Sequence, residues 1–124
     1  MQLFILLAML FCHIVDDYYL QGWLASAKQK KWWKQNSPKE LYKKDYIMAL
    51  ACHAFSWTFM IMLPLAIITH WNLGWLFIAY PVNMIIHMFV DNLKANKGKI
   101  NLIVDQLCHF GQIIITFVIY LLLF

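Results

Sequence analysis

Four histidines, His13, His53, His87 and His109, each fall in a different long apolar run, and three have an aspartate three or four residues away. An ionisable side chain in a membrane-spanning segment is costly and points to a functional site. Residues three or four apart share a helix face. Asn83, His87, Asp91 and Lys94 therefore make one polar stripe, Asp105, His109 and Gln112 another, and His13 pairs with Asp16 or Asp17 ahead of Gln21. Imidazole with carboxylate at this spacing suits zinc, iron or manganese better than calcium. His13, His53, His87, Asp91 and His109 are the candidate ligands, zinc is the expected divalent ion, and iron and manganese are the alternatives. Asp16, Asp17 and Asp105 are the carboxylates left for catalysis. Three His/Asp pairs plus His53 exceed what one tetrahedral ion needs, which leaves room for a dinuclear site with an open position for water. Taken alone, His53 reads as a hydrogen-bonding residue between helices.

The elements that must position these groups are apolar helices. With 63% hydrophobic residues, 13% charged residues and a mean hydropathy of +0.62, the chain departs from soluble domains, where about a quarter of residues are charged. Its 124 residues suffice for about four helices of roughly 20 residues, enough to cross a hydrocarbon core of about 30 Å four times. The expected spans are 2–21, 46–69, 73–92 and 102–124, in a single membrane domain over 1–124. No segment alternates as a barrel strand would. The N-terminal run lacks a basic leader and is interrupted by His13, Asp16 and Asp17 before Ala25, Ser26 and Ala27, so it reads as a retained span rather than a signal peptide.

All ten basic residues are lysines, confined to Lys28–Lys44 and Lys94–Lys99. The positive-inside rule then makes both lysine-bearing loops cytoplasmic and both termini external. The loop 22–45 mixes Trp23, Leu24, Ala27, Trp32 and Trp33 with lysines, the composition of an amphipathic segment lying in the headgroup region. Its charge is modest and fused to spans, which favours anionic lipid over nucleic acid as its partner. Ser37 is expected to cap a new helical start, with Glu40 completing a capping box beside Pro38. Under this threading each of the four histidines lies seven or eight residues from the lysine-side end of its span. At about 1.5 Å of rise per residue, all four imidazoles fall roughly 10–12 Å below that boundary. Asp17, Asp91 and Asp105 fall one turn nearer the lysines, a carboxylate layer over an imidazole layer.

Cys12, Cys52 and Cys108 each immediately precede one of these histidines, but adjacent helical positions point about 100° apart, so one site cannot readily use both. They are expected to be small packing residues, and their odd number without CxxC spacing gives no disulfide framework. Pro64 and Pro81 fall mid-span and are expected to bend their helices. His70, beside Trp71 at the outer turn, is expected to be interfacial.

The pattern His13-x-x-Asp16-Asp17-x-x-x-Gln21, an isolated His53, His87-x-x-x-Asp91-x-x-Lys94, and Asp105-Gln106-x-x-His109 resembles the small bacterial and phage membrane family known as domain of unknown function 3307. The likeness covers nearly the whole chain, and the Asp-Gln-x-x-His element is its most specific part. It implies an all-α, four-helix integral protein of a bacterial inner membrane with this polar set in common, and it supplies no activity. The chain is also similar in style, without alignment, to bacterial membrane proteins labelled metal-dependent hydrolases.

The reading that follows is a membrane-embedded metal-binding protein acting as a hydrolase on a lipid-linked or phosphate-bearing substrate at the cytoplasmic leaflet. The metal would activate water, a spare aspartate would serve as base, and Lys94, Gln21 and Gln106 would hold the substrate. A lysine at a helix end also snorkels, which is the plainer role for Lys94. No Ser-His-Asp, Walker or glycine-rich phosphate motif competes. The alternatives are a divalent-metal or proton carrier or channel, and a regulatory or structural membrane protein whose buried site fixes the bundle. Membrane lipid is the expected partner, nucleic acid is not, and self-association into a homo-oligomer is left open.

Overall fold

A computed structural model describes all 124 residues. The chain is helical throughout: α1 (Gln2–Val15) continues through a π-helical turn (Asp16–Leu20), then come α2 (Leu24–Ala27), α3 (Lys30–Asn36), a 3-10 turn (Glu40–Tyr42), α4 (Asp45–Ile68), α5 (Leu73–Ala95) and α6 (Leu102–Leu123). Four stretches, Gln2–Leu20, Glu40–Ile68, Leu73–Ala95 and Leu102–Leu123, are long and apolar enough to cross a membrane. Their polarity is the reverse of a soluble bundle. Phe4, Phe11, Phe55, Phe77, Ile85 and Leu122 face outward, while His13, His53, His87, His109, Asp16, Asp91 and Asp105 are buried. Outward apolar faces suit hydrocarbon, where polar groups must find partners inside the protein.

Helix α4 occupies the middle, packed most extensively on α5 and α1, with α6 closing against α5 and α1. All ten lysines lie at one end of the bundle, which we call the lysine end. The opposite, distal half is filled by Met9, Ile61, Met62, Leu65, Ile113 and Phe117. Its α4–α5 turn is tight, with His70 (φ 49°) and Trp71 (φ 58°) in left-handed backbone, and the Trp71 N–H reaches back to the Ala66 carbonyl at 2.8 Å. His70 is exposed there, at the end of the helices opposite the lysines. Side chains of Asn72 and Asn101 accept from the backbone N–H groups of Trp75 (3.1 Å) and Val104 (2.9 Å), starting α5 and α6.

The loop 22–45 differs from expectation in its caps. Ser37 closes α3 rather than opening a helix, its N–H bonding the Trp33 carbonyl. Glu40 pairs with Lys43 at 2.8 Å instead of completing a capping box. The cause is local: Pro38 offers no N–H and Lys39 remains extended (φ −67°, ψ 144°), so no continuous helix starts before Asp45. Pro64 and Pro81 both lie within unbroken helices.

Candidate metal centre

The four histidines meet in the lysine half of the bundle. His13, His87 and His109 are 0% exposed and His53 is 1% exposed. Ring centroids lie 5.0 Å apart for His53 and His87, 4.2 Å for His87 and His109, and 5.8 Å for His13 and His109. Heptad-like spacing accounts for the inward face of each helix, and the antiparallel threading brings equal depths together.

His53 sits at the middle of the carboxylates. Its Nε2 lies 3.2 Å from Asp17 Oδ1, 3.3 Å from Asp91 Oδ2 and 3.2 Å from His87 Nε2. Its Nδ1 lies 3.6 Å from Asp16 Oδ2, whose other oxygen accepts from Ser56 Oγ at 2.5 Å. Asp16 and Asp17 thus address the two nitrogens of one ring. The π turn makes this feasible, because its wider winding brings successive side chains closer in direction than the about 100° of an α-helix. His109 Nε2 lies 3.3 Å from Asp91 Oδ1 and 3.5 Å from Asp105 Oδ1, and His87 Nε2 lies 3.8 Å from Asp91 Oδ1.

Two sets of ligand atoms fall within 4.8 Å of one another: Asp17 with His53 and His87, and His87 with Asp91 and His109. Ligands on a tetrahedral ion at about 2.0–2.1 Å stand roughly 3.3 Å apart. The observed separations of 3.2–3.8 Å bracket that value. The donors are also short of partners. Asp16 Oδ2, Asp17 Oδ1, Asp105 Oδ1, the Nδ1 atoms of His53, His87 and His109, and His109 Nε2 are buried without a hydrogen bond. Buried polar atoms are almost always satisfied, so such a concentration matches a site that takes an ion.

His13 stands differently. Trp57 Nε1 donates to His13 Nδ1 at 2.7 Å, so the His13 proton sits on Nε2, which donates to Gln106 Oε1 at 3.0 Å. Gln106 Nε2 in turn donates to Asp17 Oδ2 and Asp105 Oδ2, both at 3.2 Å. Both His13 nitrogens are engaged, and neither ligand set includes it. Its place is to orient Gln106, and through Gln106 the two carboxylates.

The polar groups expected to meet a substrate are also held internally. Lys94 Nζ donates to Asp105 Oδ2 at 2.7 Å, Gln21 Nε2 donates to the Asp17 carbonyl at 2.8 Å, and Gln106 forms the bridge just described. Cys12 is partly buried, and Cys52 and Cys108 are exposed on outward faces. Asn83, Gln112 and Thr116 form a second polar tier. Gln112 Nε2 donates to Asn83 Oδ1 at 2.9 Å and Thr116 Oγ1 to the same oxygen at 3.0 Å. Beyond Thr116 the buried side chains are chiefly Ile61, Leu65, Phe117 and Tyr120.

Three functional neighbours escape a reading of the spans alone. Lys28, 7% exposed, turns inward from the α2–α3 junction and its Nζ donates to Asp91 Oδ2 at 2.6 Å. The small residues before it give the signal, because Ala27 is fully buried and lets the backbone approach the bundle. Asn96 fixes the junction, donating to the Lys28 carbonyl at 2.9 Å and accepting from the Lys30 N–H at 2.7 Å. Trp57 lies face to face on His87, centroids 4.0 Å apart and planes 17° apart.

Comparison with known proteins yields one likeness. No curated protein and no solved structure matches the chain. The family model described as "Protein of unknown function (DUF3307)" matches residues 5–124, essentially from the first buried residue of α1 to the C-terminus, and so spans every histidine and aspartate of the centre. The chain therefore belongs to the DUF3307 family.

Proposed function

We propose that this is a membrane-embedded metal-binding protein, acting as a metal-dependent hydrolase on a lipid-linked or phosphate-bearing substrate at the cytoplasmic leaflet of a bacterial inner membrane. The supporting observation is the convergence of three imidazoles and two carboxylates at ligand spacing, with Asp17 Oδ1 and His109 Nε2 among them buried and without a hydrogen bond.

Charge supports a single divalent ion. With carboxylates ionised and imidazoles neutral, Asp16, Asp17, Asp91 and Asp105 exceed Lys28 and Lys94 by two negative charges. Uncompensated charge in a low-dielectric interior costs several kcal/mol; one divalent ion removes it. His53, His87, His109, Asp17 and Asp91 would hold the ion, with zinc preferred and iron or manganese as alternatives. When bound, such an ion supplies Lewis acidity and a water nucleophile at neutral pH.

The chain's own residues do the rest. Asp16 Oδ2 faces His53 Nδ1 at 3.6 Å, the ring edge away from Asp17 and Asp91, and would orient that ring on shortening to a hydrogen bond. Lys94 and Gln106 anchor Asp105 through Oδ2, leaving Oδ1 free to take a proton. The Lys94–Asp105 pair lies at the lysine end, where positive charge predicts the cytoplasm, with the termini outside and the loop 22–45 in the headgroup region. A carrier would need polar groups to continue beyond Thr116, and Ile61, Leu65 and Phe117 occupy that region instead.

The test is elemental analysis of purified protein together with hydrolysis of phosphate-bearing lipids before and after chelation. About one divalent ion per chain, with turnover lost on chelation and restored by zinc or manganese, is expected. Bound metal without turnover would leave a metal-binding membrane protein and remove the hydrolase. Neither metal nor turnover would leave the structural role.

A further inference from the structure

A lysine-lined cavity lies outside the metal centre, in the loop 22–45. It has a volume of about 480 Å³ and opens between α3, the 3-10 turn and the first turn of α4. Lys30, Lys34, Lys39, Lys43 and Lys44 line it, with Trp33 contributing an indole wall. Glu40 is the one carboxylate on its lining and is already paired with Lys43. The Lys30 ammonium sits 4.8 Å over the Tyr46 ring, which fixes its position at the rim. Four ammonium charges thus remain unmatched around a space well within the usual range for ligand pockets.

The position selects the ligand chemistry. The cavity adjoins the lysine end of a helix long and apolar enough to cross a bilayer, and Trp23, Trp32 and Trp33 form an edge-to-face aromatic cluster beside it. Aromatic clusters of this kind favour the membrane–water interface. We propose that this cavity binds a phosphomonoester or diphosphate group, presented by an anionic membrane lipid. The site is separate from the metal centre and its binding does not depend on an ion there. A hydrogen-bonded path connects the two: the Lys30 N–H bonds Asn96, Asn96 bonds the Lys28 carbonyl, and Lys28 holds Asp91.

The full chain in neutral detergent would be titrated with phosphatidic acid, phosphatidylcholine and inorganic phosphate, reading melting temperature and tryptophan emission. Saturable binding of phosphatidic acid and none of phosphatidylcholine is expected in wild type. The triple variant K34Q/K39Q/K44Q should bind on the order of a hundredfold more weakly, at roughly fivefold per lysine near an anionic group. K97Q/K99Q, which removes charge from the other lysine loop, should change affinity by less than about threefold, since neither residue lines the cavity. K34Q and K39Q singly carry the same comparison if the triple variant melts lower without lipid. Competition by millimolar inorganic phosphate would keep the phosphate site and assign its source to solution. Equal losses in the two multiple variants, or equal binding of both lipids, would overturn the proposal.

Discussion

At the lysine end of the bundle the four long helices meet through imidazoles, carboxylates and ammoniums, whereas in the distal half the same helices meet through Ile61, Leu65, Ile113 and Phe117. Lipid tails are as apolar as leucine, so burying Ile113 and Leu65 in this cluster gains packing but little hydrophobic free energy. The distal half is therefore held by fit. The lysine half carries charges that hydrocarbon will not accept, so its groups must pair with one another or with an ion. One half tolerates small losses of shape; the other has strict demands on charge.

The sharpest way to break this contrast is Asp91→Ala. It strands the buried Lys28 ammonium and removes an oxygen from one ligand set. A loss of about 3–5 kcal/mol is expected from breaking a buried ion pair by one partner. Adding Lys28→Met should recover most of that stability without recovering metal. Denaturant-induced unfolding with and without chelator would show this, and failure of the second substitution to help would remove the charge account of this half.

His87→Gln comes next. His87 belongs to both ligand sets, so metal content should fall to near zero. Stability of metal-loaded protein should drop by about 3 kcal/mol at ion concentrations near 100 times Kd, and much less under chelation. Equal losses in both conditions would mean His87 serves only its stack with Trp57.

Ile113→Val probes the other half. A loss of about 1 kcal/mol is expected for one buried methylene, identical with metal and with chelator. Metal dependence there would show that the two halves are coupled rather than separate. Smallest of all should be Cys52→Ser with Cys108→Ser, both on exposed positions. Stability should stay within about 0.5 kcal/mol and metal content should be unchanged; loss of metal would bring thiolates into the centre.

Much of this arrangement is legible in the residues. Four apolar runs, and histidines at equal distance from their lysine-bearing ends, anticipate four long helices and a shared layer. Asp17, Asp91 and Asp105 announce themselves by their i, i+4 spacing from His13, His87 and His109. What spacing cannot convey is which ring nitrogen is already occupied. His13 shares its motif with Asp16 and Asp17, yet Trp57 and Gln106 take both its nitrogens. His53, unremarkable on its own helix, sits among carboxylates contributed by α5 and the π turn. Lys28 was hidden for a related reason: a lysine in a polar loop reads as solvated until the fully buried Ala27 shows how closely that loop approaches. The π turn has no residue signature at all, and it alone places adjacent aspartates on opposite edges of one imidazole.

Trp57 carries a consequence for optics. It is the one fully buried tryptophan, and its ring lies flat on His87. The other five, Trp23, Trp32, Trp33, Trp71 and Trp75, are at least partly exposed and lie toward the two ends of the bundle. An indole stacked on an imidazole transfers excited-state charge to that ring more readily when the ring is electron-poor, as it becomes when cationic or coordinated. Emission from Trp57 should accordingly dim as the centre fills, and replacing the five outer tryptophans with phenylalanine would leave a single emitting residue whose brightness follows the state of His87.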